Sequence, residues 1–232
     1  MNKWEKKQDI PYLCIITPVF DPALTSLKFL VRDLQQQSYK SFILVCISNG
    51  ASSRVEAYIN KLRKSDVRFI FKELRHQNTP DWKKLLINIG VRRNFALTYF
   101  KAKRYIFIDA DSQIIDKHYI AKLKYIDWLV KKDIIITQTQ LPDTTILPFF
   151  PINLGRIDIT CYSFSQKIAL HYRFPENINE HYGIANDFRF FKKINSLHNT
   201  TYFSFLAVFK NKRSAYKKIT QIYTEETNKI IA

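Results

Sequence analysis

The chain has 232 residues, of which 46% are hydrophobic and 25% are charged, as in a globular protein with a sizeable core. Only four residues are glycines, and neither the P-loop nor the dinucleotide-binding pattern occurs, which disfavours the Gly-rich phosphate-binding folds. Residues 1–7 are too charged for the apolar part of a signal peptide, and no apolar run approaches the roughly 20 residues that span a bilayer. We therefore expect a globular protein that is neither exported by such a signal nor membrane-spanning.

The formal net charge of +17 indicates either a phosphate-rich partner or basic residues that are simply spread over a solvated surface. The candidate partners are nucleic acid, an anionic membrane and a diphosphate substrate. Nucleic acid is the weakest of these, since the basic residues are spread along the whole chain without an RNA-binding aromatic signature or zinc-ligand spacing. We expect no nucleic-acid partner, and the membrane and diphosphate alternatives stay open.

Three cysteines, Cys14, Cys46 and Cys161, lie far apart in the chain, each within an apolar run. An odd number without paired spacing indicates neither a disulfide framework nor a zinc site. We interpret all three as small core residues of a cytoplasmic protein.

Apolar runs of strand type alternate with helical periodicity over the first 137 residues. The predicted strands are 12–17, 42–47, 67–71, 105–108 and 134–137, and the predicted helices are 24–34, 53–64, 82–96 and 120–126. This alternation predicts an α/β fold with a mainly parallel sheet between two layers of helices. Ligands of such sheets bind beyond the carboxyl ends of the strands.

After residue 137 the pattern becomes irregular, because Pro142, Pro148 and Pro151 interrupt residues 138–154. A segment this long without regular structure predicts a functional or mobile loop. No repeat or linker is evident, so we expect one domain over residues 1–232.

Asp109 and Asp111 follow a predicted buried strand directly. On an extended segment, residues two apart point the same way, so both carboxylates could face one ligand. Carboxylate oxygens suit Mg²⁺ or Mn²⁺, which keeps open positions for substrate phosphates. The alternative is a solvated turn whose acidic residue precedes a helix, and the spacing alone does not distinguish the two.

Four segments occur in an order that resembles the family 2 glycosyltransferases. They are CIITPVFD at residues 14–21, FILVCISNG at 42–50, GVRRNFAL at 90–97 and YIFIDADS at 105–112. The resemblance covers residues 12–130 well and continues more loosely over residues 161–194. It implies a GT-A type fold, with an irregular acceptor-side C-terminal half, and an inverting transfer of a sugar from a nucleotide diphosphate.

The resemblance also assigns donor residues. It places the nucleotide base against Pro18, Phe20 and Asp21, and makes Asp111 the main metal ligand, with Asp109 at the ribose or the metal. The other implied donor contacts are Ser48, Asn49, Arg93 and Asn94. Arg93 offers a fixed fork of donors for phosphate, whereas Arg92 is more readily a surface residue. The implied cofactor is Mn²⁺ or Mg²⁺.

On the acceptor side, Asp187 aligns with the family's catalytic base, which takes the proton of the attacking hydroxyl. The alternative is that Asp187 caps the helix predicted through Phe188, Phe191 and Ile194. The implied acceptor contacts are His181, Gly183 and Asn186.

The chain departs from the family at two places. Ser48 and Asn49 stand where the family has two aspartates. Neutral hydrogen bonds contribute about 0.5–1.5 kcal/mol and charged ones about 1.5–3, so this change should weaken donor binding roughly tenfold or alter the base preference. Asn186 stands where Glu is common, which puts acceptor contacts in doubt.

The leading hypothesis is a metal-dependent hexosyltransferase of cell-envelope polysaccharide synthesis, using a UDP-sugar and a glycan or lipid-linked glycan acceptor. Residues 12–130 would bind the nucleotide sugar and residues 131–209 the acceptor, while residues 210–232 form a basic helix. That helix either contacts the inner face of an anionic membrane or packs on the sheet. The alternatives are a non-catalytic nucleotide-sugar binder, a nucleotidyltransferase and a basic nucleic-acid-binding protein.

Overall fold

A computed structural model describes residues 10–48, 53–74, 82–141, 143–148, 150–152, 157–174 and 186–210, with backbone only at 82–89, 186–187 and 205–210. The strands are β1 Leu13–Val19, β2 Phe42–Ser48, β3 Phe69–Glu73, β4 Arg104–Phe107, β5 Ser112–Gln113, β6 Ile134–Gln140, β7 Ile146–Leu147, β8 Tyr162–Ser165 and β9 Thr200–Lys210. The helices are α1 Leu24–Gln36, α2 Ser53–Arg63, α3 Trp82–Tyr99, α4 Tyr119–Val130, α5 Gln166–His171 and α6 Asn186–Asn195.

All nine of these strands belong to one sheet, in the order β3-β2-β1-β4-β8-β6-β9-β5, with β7 paired to β6. Strands β3, β2, β1 and β4 are mutually parallel. Strand β8 enters antiparallel between β4 and β6, while β6 and β9 are parallel to each other. The expected α/β class is confirmed, with the parallel region formed by the first half of the chain.

The alternation of side chains along each strand builds two cores, one on each face of the sheet. In β1, Leu13, Ile15 and Val19 face the first core, whereas Cys14 and Ile16 face the second. Apolar stripes of α1, α2 and α4 cover the first core, and residues of α3, α5 and α6 cover the second. The three cysteines are buried and free, as expected.

Strand β1 extends past Pro18, the residue at which the sequence predicts that it ends. The Ile16 carbonyl accepts a hydrogen bond of 3.1 Å from the Ile108 N–H, so the backbone of Ile16 points toward β4. Residue 18 points the same way, but the pairing of β1 with β4 ends at Ile16 and Phe107. The missing N–H of Pro18 therefore faces no ladder partner, and the strand tolerates the proline.

The second half of the chain is more regular than the sequence predicts. Strand β6 continues to Gln140 and forms an antiparallel hairpin with β7, closed by a hydrogen bond of 2.7 Å from the Leu141 N–H to the Thr145 carbonyl. Strands β8 and β9 both pair with β6. The expectation of an irregular loop over residues 138–154 is therefore wrong at residues 138–140 and 146–147, because pairing with other strands supplies the hydrogen bonds of this backbone.

A buried arginine that sequence reasoning missed joins the two halves of the sheet. The Arg104 guanidinium donates to Asp127 of α4 at 2.6 Å and to the carbonyls of Lys132, Asp133 and Ser163 at 3.0–3.2 Å. These bonds tie β4 to β8 and to the segment between α4 and β6. Within the described residues, no helix is both long and apolar enough to cross a membrane.

Candidate functional site at the carboxyl edge of the sheet

The carboxyl ends of β1, β2 and β4 lie side by side. Val19 is level with Ser48 in the parallel register of β1 and β2, and Ile16 is level with Phe107 in that of β1 and β4. Asp109 comes two residues after Phe107. Pro18, Ser48 and Asp109 therefore lie at one edge of the sheet, as the sequence predicted from the strand order.

Asp21 holds the end of β1 to α2. Its Oδ1 accepts hydrogen bonds from the backbone N–H groups of Arg54 and Val55, at 3.0 and 3.1 Å. These donors belong to the first turn of α2, whose N–H groups have no partner within the helix. The bonds provide a structural role for Asp21 that the sequence did not indicate. The neighbouring Phe20 side chain is exposed, so one face of an aromatic ring is available at this edge.

Asp109 and Asp111 lie in a turn rather than in an extended segment. The Ser112 N–H donates to the Asp109 carbonyl at 3.0 Å, which closes the turn. The expectation of an extended backbone at residues 109–111 is therefore wrong. Both residues are half-buried, and the buried Ala110 separates them.

The chain is anchored directly after Asp111. Ser112 and Gln113 form β5, which pairs with Lys210 and Phe209 of β9. The acidic turn thus lies between the end of β4 and a short strand held by the opposite half of the sheet. The described residues contain no group of three or more His, Cys, Asp or Glu side chains suited to a metal ion. Two carboxylates nevertheless fit Mg²⁺ or Mn²⁺, since these ions take few protein ligands and complete their coordination with water and phosphate.

Three consecutive polar residues of α3 are buried at 4–5% exposure: Arg92, Arg93 and Asn94. The Arg93 guanidinium lies between two aromatic rings, 5.2 Å from the centroid of Phe107 and 5.1 Å from that of Phe174. The Asn94 side chain binds the backbone of Phe174 on both sides, accepting from its N–H at 2.8 Å and donating to its carbonyl at 3.0 Å. These contacts join α3 to the segment after α5.

The Nε of Arg92, like that of Arg93, has no hydrogen-bond partner among the described residues. Burial lowers the pKa of Arg92 to about 10, and no opposite charge within the described part of the chain offsets this shift. A buried cation without an opposite charge is strongly unfavourable, so the site is suited to an anion. The sequence favoured Arg93 over Arg92 as a contact of the donor. The only indication for Arg92 was its position next to Arg93.

The position of Arg92 along α3 brings it to the carboxyl edge. The helix runs antiparallel to the strands, since it connects β3 to the parallel β4. Its end is fixed by the Phe100 carbonyl, which accepts from the Tyr105 hydroxyl at 2.9 Å. Arg92 is eight residues earlier, about 12 Å along the helix. Measured along β4 from Tyr105, at about 3.3 Å per strand residue, a distance of about 12 Å reaches Ile108 or Asp109.

A cavity of about 220 Å³ lies elsewhere, between α1 and the segment after β5. Its lining residues are Arg32, Asp33, Gln36, Gln113, Ile114, Ile115 and Lys117. Asp33 accepts a hydrogen bond from the Ile114 N–H at 3.1 Å, which holds the two walls together. None of the strand-end residues lines this cavity, so we assign the candidate site to the strand ends and not to it.

No protein-family model matches the chain, and no curated protein matches it in sequence. Solved structures do match. S. aureus TarS 1–349 in complex with UDP-GlcNAc has a TM-score of 0.68 at 16% identity, over 88% of this chain and 59% of that one. Mannosyltransferase PcManGT from Pyrobaculum calidifontis, in complex with GDP-Man and Mn²⁺, has a TM-score of 0.60 at 11% identity, over 91% and 62%. The fold is of the GT-A type.

The structure of S. aureus TarS 1–349 in complex with UDP matches with a TM-score of 0.67 at 12% identity over 86% of this chain. The chain spans about 60% of the length of TarS 1–349. Several predicted residues lie outside the described part of the GT-A fold, namely Asn49, His181 and Gly183. Asn186 and Asp187 are described by their backbone alone. Helix α6 begins at Asn186, which places Asp187 within its first turn.

Proposed function

We propose that the chain is a metal-dependent, inverting glycosyltransferase of the family 2 type. The observation that carries the proposal is the GT-A fold, with an acidic turn and the buried Arg92 at the carboxyl edge of its parallel strands. Neighbours of the same fold hold UDP-GlcNAc or GDP-Man with Mn²⁺. A nucleotide diphosphate carries the anionic groups that such an edge would bind.

The donor diphosphate would lie between α3 and the acidic turn. Arg92 would donate to its oxygens, and Arg93 would add positive potential from between its two aromatic rings. The exposed Phe20 ring is suited to stack on the nucleotide base. Asp21 and Asn94 would support this site from behind, since their described bonds hold α2 and the Phe174 segment in place. Pro18, Ser48 and Asn49 complete the proposed donor contacts.

Asp111 and Asp109 would hold the Mn²⁺ or Mg²⁺ ion. The bound ion neutralises the negative charge that grows on the leaving diphosphate. Without it, two carboxylates would face the diphosphate as like charges, which opposes donor binding. The acidic turn would therefore bind the donor only together with the metal.

Asp187 would act as the general base, with His181, Gly183 and Asn186 at the acceptor. Its carboxylate would take the proton of the acceptor hydroxyl while the oxygen attacks the anomeric carbon. Attack opposite to the leaving nucleotide inverts the anomeric configuration. The proposed substrates are a UDP-hexose and a glycan or lipid-linked glycan of the cell envelope, and the proposed location is the cytoplasm, with peripheral membrane contact.

The test is a panel of nucleotide sugars incubated with the protein, Mn²⁺ and acceptor glycans, with nucleotide release and product formation measured. One donor should be consumed with transfer to acceptor and with inversion. Binding of UDP without turnover would favour a non-catalytic nucleotide-sugar binder. Release of pyrophosphate from nucleoside triphosphates would favour a nucleotidyltransferase, and tight RNA binding on filters would favour a nucleic-acid-binding protein.

A further inference from the structure

Helix α4 has apolar residues on two opposite sides. Tyr119, Ile120, Leu123 and Ile126 are buried in the first core. Tyr125, Trp128 and Leu129 are 62%, 69% and 58% exposed and follow the i, i+3, i+4 spacing of a single stripe. We refer to these three residues as the outer stripe.

The outer stripe is continuous and lies opposite the buried one. At 100° per residue, its centre is about 155° around the helix from the centre of the buried stripe. The rings of Tyr125 and Trp128 are in contact, with their centroids 6.1 Å apart. A helix that is apolar on both sides is typical of one covered on both sides. Within the described part of the chain, only the inner side is covered.

Lysines border the outer stripe. Lys122 and Lys124 are exposed and flank it on either side, and the exposed Lys131 follows the helix. The Lys124 ammonium lies 4.3 Å from the ring centroid of Tyr39, while Lys122 pairs with Asp116 at 2.6 Å. This border carries a net positive charge.

The acidic residue of α4 does not oppose this charge. Asp127 points inward, where its Oδ1 accepts a hydrogen bond of 2.6 Å from the buried Arg104. The outer surface of the helix therefore combines two aromatic rings, a leucine and lysines. Tyr and Trp favour the headgroup region of a bilayer, and lysines near it attract anionic lipids.

Charge also disfavours two other possible partners of the outer stripe, a second copy of the chain and the C-terminal residues. A second copy that packed symmetrically through the same stripe would bring its own lysines against this border. Residues 211–232 contain five basic and two acidic residues, so they too are positively charged. An anionic bilayer surface is complementary to both the apolar stripe and its basic border.

We propose that the outer stripe of α4 docks on anionic membranes, with Trp128 and Tyr125 in the headgroup region and Leu129 below it. The lysines at its border contact the lipid phosphates. This contact is independent of sugar transfer, because it uses the outward side of α4 and none of the strand-end residues.

The experiment is co-sedimentation of the full-length chain with vesicles of phosphatidylcholine containing about 30% phosphatidylglycerol. Combined Tyr125→Ala and Trp128→Ala substitutions should lower vesicle affinity at least tenfold. The matched control is Tyr99→Ala, which removes a ring that is 68% exposed and contacts Phe95 in a similar pair on α3. The control should bind as the unsubstituted protein does. Thermal melting should be unchanged in both variants, since the residues are exposed.

Salt provides a second readout. Raising it from about 0.1 to about 0.5 M should weaken binding of the unsubstituted protein, because screening reduces the attraction of lysines to lipid phosphates. Vesicles of phosphatidylcholine alone should bind much less.

Three results would overturn the proposal. The first is equal vesicle binding by the α4 and Tyr99 variants. The second is loss of binding only when Lys212, Arg213, Lys217 and Lys218 are changed to Gln in the full-length chain, which would assign the contact to the C-terminal residues. The third is a lipid-free dimer that dissociates upon the α4 substitutions, which would assign the outer stripe to a second copy.

Discussion

Replacing Arg92 with Gln should change the stability of the ligand-free protein and its donor affinity in opposite directions. The Arg92 side chain is buried, and its Nε lacks an acceptor within the described residues. Burial lowers its pKa to about 10, well below the ordinary value of a guanidinium. At about 1.4 kcal/mol per pKa unit, this corresponds to roughly 3 kcal/mol against the charged form.

The lowered pKa of Arg92 means that its charge destabilises the folded protein. A cation whose folded pKa is lowered destabilises the fold at every pH below about 10, and the penalty fades as the pH rises from there toward the ordinary pKa of a guanidinium. At pH 7, Arg92→Gln should therefore raise the free energy of unfolding of the ligand-free protein by up to about 3 kcal/mol, less the packing lost with the longer side chain.

Donor binding should respond the other way. A charge-assisted hydrogen bond contributes about 1.5–3 kcal/mol, so losing the Arg92 contact should weaken UDP binding roughly 10- to 150-fold in the presence of Mn²⁺. Arg92→Lys should keep most of the destabilisation and only part of the affinity, because an ammonium lacks the two-pronged guanidinium geometry.

The assays are urea unfolding without ligand and calorimetry of UDP with Mn²⁺. The matched control is Arg32→Gln on α1, since the Arg32 side chain is 58% exposed and should affect neither quantity. An Arg92→Gln variant that is less stable than the parent protein and binds UDP equally well would refute the reasoning. That outcome would mean that Arg92 contributes packing and no anion contact.

Three further outcomes are expected. UDP affinity should fall strongly in EDTA, because Asp109 and Asp111 then oppose the diphosphate, and equal affinity in calorimetry would refute the metal assignment. Asp187→Asn should lower turnover roughly 10²–10⁴-fold with unchanged UDP affinity, whereas a helix-capping role predicts turnover within a few-fold of the parent. The hydrogen bond from Arg68 lowers the pKa of Asp66, so this pair should stabilise the fold above the ordinary carboxyl pKa and lose its effect as the pH falls through the lowered value. Asp66→Asn should therefore cost at most about 1 kcal/mol at neutral pH, with allowance for solvent screening, and nothing in strong acid, as measured by urea unfolding.

The elements of the first half of the chain could be predicted from the sequence because their signals are local. Strand β2 and helices α1 and α2 begin and end within a few residues of the predicted positions. Apolar alternation and helical spacing report which side of an element is buried, without reference to its neighbours. The parallel order of β1, β2 and β4 followed from the helices between them, and it brought Pro18, Ser48 and Asp109 to one edge.

Most strands of the second half could not be predicted from the sequence, because they pair with strands that are distant in the chain. Strand β8 lies between β4 and β6, although 54 residues separate Phe107 from Tyr162 in the sequence. Short strands such as β5 and β7 carry no periodic signal of their own. Their hydrogen bonds come from distant partners, so only the assembled sheet makes them strands.

The sequence by itself predicted the order of the elements of the first half and pointed to the acidic residues and Arg93 as candidate donor residues. It favoured Arg93 and left Arg92 as a surface residue, since the burial of adjacent helical residues depends on what packs around them. The tertiary structure buries both arginines and places Arg93 between Phe107 and Phe174. It likewise commits Asp21 to the first turn of α2, because burial and hydrogen-bond partners arise only when distant segments pack together.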